Sequence, residues 1–519
     1  MEMEPRRSSC QAILGKNPRA NTAVMIVMLY EVINGFAFSS LAADVVPYAT
    51  DHLGLDSSTT LIISLVFSGV GYTMPIVGGL VGDIKLTRYW TIFAGNSLYL
   101  AGMVFLMVIT GVTQGKVFLQ DEAKIILYLI GLVLVAVGQG FITVQILPLG
   151  AEQIADRGVA TIQTYYRWCT FSFNLGKLLA YLPLPFILQK ANEEDTWAPC
   201  TLQLGAMCLA TCIFIVGKRW YMLKPAEGAQ NFKLILVAIK QCALLRPRMS
   251  RPTDDADRRD WERWYAAYMI RPIIFITAIF SIGGVYEAIY FQMFATYPIQ
   301  AQNLTDLGVQ LPANFMTSLD PLPVMVIVPA IEIYFYCAKR ANRRHIEINP
   351  LKRIGFGLLC AAVSALAAGI ISTCVRLLPV TASIPIYWQV PQYIILGFSE
   401  VIYFASGFEF SFTHAPRGLA GFTTGMFLGV GSFFGFILYL AFIPLGTASV
   451  SQYQAHNNTL EALFYTLGGL MVLFLGPYIL LVKRYTVSLA QVPKEPKWKN
   501  LPSITRDFRD SLVSIDSDT

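Results

Sequence analysis

Residues 123–149 read AKIILYLIGLVLVAVGQGFITVQILPL, and this stretch decides the class of fold. Its single charged residue is Lys124. A helix needs about 20 mostly apolar residues to cross the hydrocarbon core of a bilayer, so the stretch predicts a membrane-spanning helix. The rest of the 519-residue chain is similar, with 55% hydrophobic and 14% charged residues, whereas soluble domains carry about 25% charged residues. This composition excludes a disordered chain, a secreted disulfide scaffold and a row of soluble domains.

Twelve stretches of this kind predict an all-α membrane protein with twelve transmembrane helices. The predicted spans lie at 22–49, 58–82, 88–111, 123–149, 162–188, 199–221, 270–297, 311–337, 354–377, 384–412, 417–444 and 459–483. No short apolar core with a small-residue cleavage site precedes them, so we expect the first span to be a mature helix rather than a cleaved signal peptide.

The distribution of basic residues predicts the orientation. With the N-terminus inside, 34 of the 39 Lys and Arg residues lie in segments on one side. Because basic loops stay on the cytosolic side, both termini are predicted to be cytosolic. Two N-x-S/T sequons, at Asn303 and Asn457, fall on the opposite side and are candidate glycosylation sites. The net charge of +6 therefore reflects topology and an anionic lipid surface, and we expect a lipid bilayer and no nucleic acid as partner.

The longest polar segment, 218–271, lies between spans 6 and 7 and divides the spans into six plus six. This suggests the major facilitator fold, in which two six-helix halves surround a site at the midplane. The predicted parts are a cytosolic N-terminal arm (1–21), an N-terminal half (22–221), a cytosolic central loop (222–269), a C-terminal half (270–483) and a cytosolic tail (484–519). Within the loop, 231–247 is amphipathic and basic, which predicts a helix on the membrane surface. The loop and the tail are also candidate docking segments for a protein partner.

Patterns typical of enzymes and ATP-driven pumps are missing from the sequence. There is no G-x-x-x-x-G-K-[ST] loop and no recognisable Ser/His/Asp or Cys/His arrangement. The four His and nine Cys residues show no spacing typical of metal ligands. We therefore expect no enzyme activity, no metal and no cofactor.

Three segments carry a resemblance to known carriers. Residues 78–88, GGLVGDIKLTR, resemble the loop 2–3 signature of major facilitator proteins. Residues 165–176, YYRWCTFSFNLG, and the segment 388–416, which begins WQVPQY, resemble the proton-coupled oligopeptide transporter family, solute carrier 15. The run YFQM at 290–293 is similar to the peptide/histidine branch of that family. The resemblance covers the membrane region and implies a carrier that uses protons as its coupling ion.

This sequence departs from the family at charged positions of the site. The span 1 pattern E-x-x-E-R-F keeps its first acid as Glu31, but Asn34 and Gly35 replace the second glutamate and the arginine. Thr143 stands where the family has a span 4 lysine, and Phe291 stands where some members have a span 7 acid. The lost arginine and lysine are implied to hold the carboxylate of a peptide. A buried carboxylate without a cation is costly, so the carboxylate end of the site is altered.

The resemblance implies substrate contacts at positions that match the family's motifs. Glu400 would hold a substrate amine, with Asn174 and Tyr166 as a polar wall. Gln292 and Trp388 would complete the site.

Two basic residues of span 5 are candidates to replace the lost cations. We hypothesise that Arg167 or Lys177 supplies the missing positive charge. In the alternative, Arg167 extends to the cytosolic interface and Lys177 pairs with a neighbouring acid.

Acids within the spans are candidates for proton coupling, because a charge at the midplane costs at least about 2.5 kcal/mol and usually faces a cavity or a partner. We select Glu31, Glu287 and Asp320. For Asp320 the alternatives are a structural pair with Lys177 and a helix-break ligand beside Pro321 and Pro323. The resemblance of 78–88 to the loop 2–3 signature implies that Asp83 and Arg88 form a latch between the two halves.

The sequence thus predicts a secondary-active carrier that moves small peptides or amino acids such as histidine by alternating access. Two alternatives remain open, because the two cations are missing. One is a transport-deficient membrane scaffold or sensor, and the other is a carrier for an amine that lacks a carboxylate. The predicted location is the plasma membrane or an endolysosomal membrane.

Overall fold

The computed structural model describes residues 17–114, 121–182, 197–240, 258–301, 304, 313–340, 348–377, 384–416, 418–447 and 453–490. These residues form fourteen α-helices. They are α1 (Pro18–Asp51), α2 (Ser57–Thr73), α3 (Pro75–Ile84), α4 (Arg88–Gln114), α5 (Asp121–Glu152), α6 (Val159–Tyr181), α7 (Trp197–Gly217), α8 (Gly228–Lys240), α9 (Arg258–Ala301), α10 (Pro321–Arg340), α11 (Pro350–Leu377), α12 (Val390–Thr413), α13 (Ala420–Thr447) and α14 (Tyr453–Ala490). Short 3₁₀ helices lie at Ala155–Arg157, Ala313–Leu319 and Ile386–Gln389.

The helices bury two hydrophobic cores, one in each half of the chain. The first core lies between Ala23 and Tyr221, and the second between Ile276 and Tyr485. A smaller cluster of Val324, Val328 and Val401 packs against Trp168 and Phe171, so it joins α10 and α12 to α6. Each half therefore has its own core, and α6 supplies part of the apolar contact between them.

Eleven helices in the described ranges are long and apolar enough to cross a membrane. They correspond to all the predicted spans except the fifth, 162–188, which corresponds to α6. Arg167, Asn174 and Lys177 are all buried on α6, and such polar residues make this helix less apolar than the others. The count of twelve spans stays a prediction.

Two predicted spans are interrupted in the structure. The second, 58–82, is divided at Met74 into α2 and α3, because Pro75 at the start of α3 has no N–H to donate. In the eighth, Asp320 lies between the 3₁₀ helix Ala313–Leu319 and α10, which begins at Pro321. A break at this point frees the Asp320 side chain from the helix surface and lets it face the interior, where it is fully buried.

The helices α1 and α6 touch backbone to backbone at two glycines. A Cβ atom at Gly35 would lie 2.5 Å from the carbonyl oxygen of Phe173, and one at Gly176 would collide with the carbonyl of Val32. Gly35 occupies the position of the family's span 1 arginine. The close helix contact therefore fills the place that a long side chain would need.

We expect Gly176→Ala to destabilise the protein by about 1–3 kcal/mol, because the added methyl forces α1 and α6 apart. Gly205→Ala on α7 is the matched control, since no atom lies within 4 Å of a Cβ there, and it should be neutral or stabilising. Thermal unfolding of the purified proteins in detergent measures both. Equal melting temperatures for the two variants would contradict the close α1–α6 contact.

Candidate functional site

The ammonium of Lys177 lies at the centre of a buried cluster. Its Nζ atom donates to Asp320 Oδ2 at 2.7 Å, to Glu400 Oε2 at 3.0 Å and to the Tyr290 hydroxyl at 2.9 Å. Relative exposure is 2% for Lys177, 0% for Asp320 and 4% for Glu400. We call Lys177, Asp320 and Glu400 the central cluster.

Glu400 receives further hydrogen bonds that fix its carboxylate. Asn174 Nδ2 donates to Glu400 Oε1 at 3.0 Å, and the Tyr290 hydroxyl donates to Oε2 at 3.2 Å. Asn174 lies one turn before Lys177 on α6, so both side chains point to the same side of the helix. The sequence-predicted residues Glu400, Asn174, Lys177 and Asp320 therefore meet at one place.

The central cluster joins the two halves of the molecule. Lys177 belongs to α6, whereas Asp320 precedes α10 and Glu400 lies on α12. One ammonium faces two carboxylates, so with all three groups ionised the cluster carries a net charge of −1. A buried net charge is costly, and one added proton or one added cation would neutralise it.

Arg167 makes a second buried ion pair between the halves. Its guanidinium lies 2.6 Å from Glu332 on α10 and donates to the Thr164 hydroxyl at 2.9 Å. It also lies 5.3 Å from the centre of the Phe335 ring. Arg167 therefore holds α6 against α10 and does not join the central cluster.

The predicted latch residues are in contact at the predicted cytosolic end. Arg88 Nη1 donates to Asp83 Oδ1 at 3.0 Å and to Gln145 Oε1 at 2.7 Å, and its Nε donates to Glu152 at 3.0 Å. The other carboxylate oxygen of Asp83 accepts the backbone N–H of Phe422, on α13, at 2.7 Å. This last bond crosses between the halves, so the latch closes this end of the molecule.

Two candidate proton carriers make no hydrogen bond to the central cluster among the described residues. Glu31 and Glu287 are 3% and 1% exposed. In this part of the chain, Glu31 Oε1 and Glu287 Oε2 have no hydrogen-bond partner. Glu287 lies on α9 one turn before Tyr290, whose hydroxyl donates to Glu400. The role of Glu31 and Glu287 in proton coupling stays a prediction.

The remaining predicted substrate residues are not assembled around the cluster. The Tyr166 ring packs on Phe408 and Phe412. Gln292 bonds within its own helix, to the Ala288 carbonyl and the Thr296 hydroxyl. Trp388 lies in the 3₁₀ helix ahead of α12 and is 48% exposed.

Both predicted glycosylation sites also stay predictions. Asn303 lies outside the described residues. Asn457 lies within α14 rather than in a loop ahead of it.

Sequence reasoning missed Tyr290, Gln145 and Glu152 as functional residues. Tyr290 opens the YFQM run at 290–293, so its signal was present. Gln145 Nε2 also donates to the carbonyl of Gly78 at 3.1 Å, a contact that no local pattern predicts.

The positions of the two missing cations are occupied by other contacts. Gly35 packs against α6, as described above. Thr143 accepts a hydrogen bond from Gln139 Nε2 at 3.1 Å, one turn earlier on α5. The buried cation of the central cluster, Lys177, comes from α6, whereas the two missing cations would lie on α1 and α5.

Comparison with known proteins identifies the family. A family model described as POT family matches residues 89–457. The chain belongs to the POT family. Solute carrier family 15 member 3 of Mus musculus is 24% identical over 84% of this chain and 87% of its own length. Peptide transporter PTR2 of Saccharomyces cerevisiae is 22% identical, with 83% and 75% covered. Protein NRT1/PTR FAMILY 8.1 of Arabidopsis thaliana is 21% identical, with 89% and 93% covered.

Solved structures of POT-family proteins share the fold. The crystal structure of the POT family transporter PepTSo matches with a TM-score of 0.68 at 18% identity, over 91% of this chain and 99% of that chain. An auto-inhibited POT family peptide transporter matches with a TM-score of 0.64 at 17% identity, over 92% and 99%. The predicted all-α fold of the major facilitator type is confirmed.

We expect Lys177→Met to destabilise the protein by about 3–5 kcal/mol, because it leaves two buried carboxylates without their cation. The loss should be smaller at pH 5 than at pH 8, since the carboxyls can then bind protons. Thermal unfolding in detergent measures the effect. The triple variant Lys177→Met/Asp320→Asn/Glu400→Gln, which removes all three charges, should recover most of the stability. If the triple variant were no more stable than the single one, charge pairing would not be what stabilises the cluster.

Proposed function

We propose that this POT-family chain is a proton-coupled secondary-active carrier that works by alternating access. The proposed solutes are small peptides or amino acids such as histidine, and the proposed location is the plasma membrane or an endolysosomal membrane. The observation that supports this proposal is the central cluster, in which one buried cation and two buried carboxylates join the two halves of the molecule.

The proposed coupling follows from the charge of the cluster. A proton that binds to Asp320 or Glu400 brings the net charge of the cluster to zero. It also weakens the attraction between that carboxyl group and the Lys177 ammonium. Because Lys177 and Glu400 belong to different halves, weakening this pair favours their separation. A ligand shifts such an equilibrium only by binding the two states unequally, and the proton binds the separated carboxylates more tightly than the paired ones.

In the proposed mechanism the solute replaces Lys177 as the ion-pair partner of Glu400. The ammonium of a peptide or amino acid would take the place of Lys177 beside Glu400 and Asn174. The displaced Lys177 ammonium would then be available for the carboxylate of the solute. In this way Lys177 would perform the task of the two cations that the family has at Gly35 and Thr143.

A second candidate function is transport of an amine that lacks a carboxylate. It is supported by the excess of acid over base in the central cluster and by the α1–α6 contact at Gly35. Such a solute would neutralise the net charge of −1 and would not need the missing cations.

Uptake by proteoliposomes tests both candidates. The full-length protein is reconstituted and given labelled dipeptide, labelled histidine or a labelled simple amine, with and without a pH gradient that is acidic outside. We expect the gradient to increase the initial rate of uptake for at least one solute. Glu400→Gln should reduce that rate at least tenfold, because it removes the carboxylate that binds the ammonium, a charged hydrogen bond of about 1.5–3 kcal/mol.

Protein-free liposomes and the exposed-site variant Lys483→Ala are the controls. Flux of the amine alone would favour the second candidate. Flux that does not depend on the pH gradient would contradict proton coupling. The absence of flux for every solute would contradict a carrier and favour the scaffold.

A further inference from the structure

The short helix α8 of the central loop lies across the seam between the halves. A Cβ atom at its first residue, Gly228, would lie 2.5 Å from the Gly418 carbonyl oxygen and 2.8 Å from that of Asp83. Asp83 lies in the last turn of α3 in the first half, and Gly418 precedes α13 of the second. One residue of the loop therefore contacts both sides of the latch.

An aromatic contact also holds α8 at Phe232, four residues after Gly228. The Phe232 ring packs edge-on against the Phe422 ring, with centroids 5.8 Å apart and an interplanar angle of 78°. Phe422 is also the residue whose N–H donates to Asp83. Phe422 thus contacts the latch with its backbone and α8 with its side chain.

The chain that leads into α8 completes the contact. A cavity of about 290 Å³ is lined by Asp83 and Arg88 of the latch and by Lys224 and Glu227 of the loop. The apolar residue Ile235 of α8 is 3% exposed, and the helix packs against α3 and α9. Ile235 of α8 is therefore covered by protein at this end of the molecule. A helix that lies only on the membrane surface would not make these contacts.

Opening the predicted cytosolic end requires α3 and α13 to separate. That movement breaks the hydrogen bond from the Phe422 N–H to Asp83. It also separates α8 either from Asp83 at the end of α3 or from Phe422 on α13. We propose that α8 is a strap that stabilises the closed state of the predicted cytosolic end. The strap goes beyond the proposed transport function, and it acts on the opening movement whatever solute is carried.

Distances between spin labels measure the closed and open populations directly. Labels are attached at Lys85→Cys and Lys352→Cys, two exposed positions on opposite halves at this end. The background is the full-length chain with its nine native cysteines replaced, in lipid nanodiscs without solute. We expect Phe232→Ala to raise the ratio of long to short distances about fivefold, because an aromatic pair that stabilises only the closed state is lost. Phe232→Tyr keeps the ring and should restore the short distance.

Leu236→Ala is the matched control, since Leu236 lies on the same helix and is 41% exposed. It should leave the distances unchanged. An unchanged ratio in Phe232→Ala, or an equal shift in Leu236→Ala, would overturn the strap.

Amide hydrogen exchange provides a second measurement that needs no label. In Phe232→Ala, exchange in residues 418–425 should be severalfold faster than in wild type, because α8 no longer packs on Phe422. Equal exchange in the two proteins would overturn the proposal. Both measurements are independent of flux, so they separate failure of the strap from failure of the proposed carrier function.

Discussion

The structure depends on one ammonium group inside the membrane region. Lys177 contributes the cation that lies between Asp320 and Glu400, and these acids belong to the other half of the molecule. Burying any of the three charges alone would be strongly unfavourable, so each requires the others in place. The central cluster is therefore one of the contacts that fix the relative position of the halves, and its net charge changes when a carboxylate binds a proton. An ion pair that stabilises the structure and can also bind a proton is suited to couple proton binding to movement of the halves.

The sequence predicted most of the fold, because apolar runs and basic loops report spans directly. The fifth span was predicted at 162–188, where α6 lies, although hydropathy alone does not identify this helix among the described residues, since its buried polar residues make it less apolar. Hydropathy also could not place the break beside Asp320. The amphipathic pattern of 231–247 predicted a helix on the membrane surface. The structure begins this helix at Gly228 and packs it against the latch, a contact that the pattern alone could not identify. Residues 241–247 lie outside the described residues.

The sequence predicted the site residues that lie in a recognisable motif. It could not predict the pairs that form between distant segments of the chain. Glu400 and Asn174 follow from the resemblance. Both readings of Lys177 were open at that stage, because Lys177 and Glu400 are separated by 223 residues. The structure shows the pairing of Lys177 with both acids. In the proposed mechanism the same lysine pairs with these acids in the closed state without solute and with the solute carboxylate in the bound state.

Proton entry that depends on solute would show whether the central cluster couples proton movement to solute movement. Proteoliposomes containing a trapped pH-sensitive dye are given the solute that the uptake assay identifies, and acidification of the lumen is recorded for wild type and for Asp320→Asn. We expect the lumen to acidify when solute is added to wild type, and we expect acidification at least tenfold slower in Asp320→Asn. Solute entry without acidification, or equal acidification in the two proteins, would contradict a proton-operated central cluster.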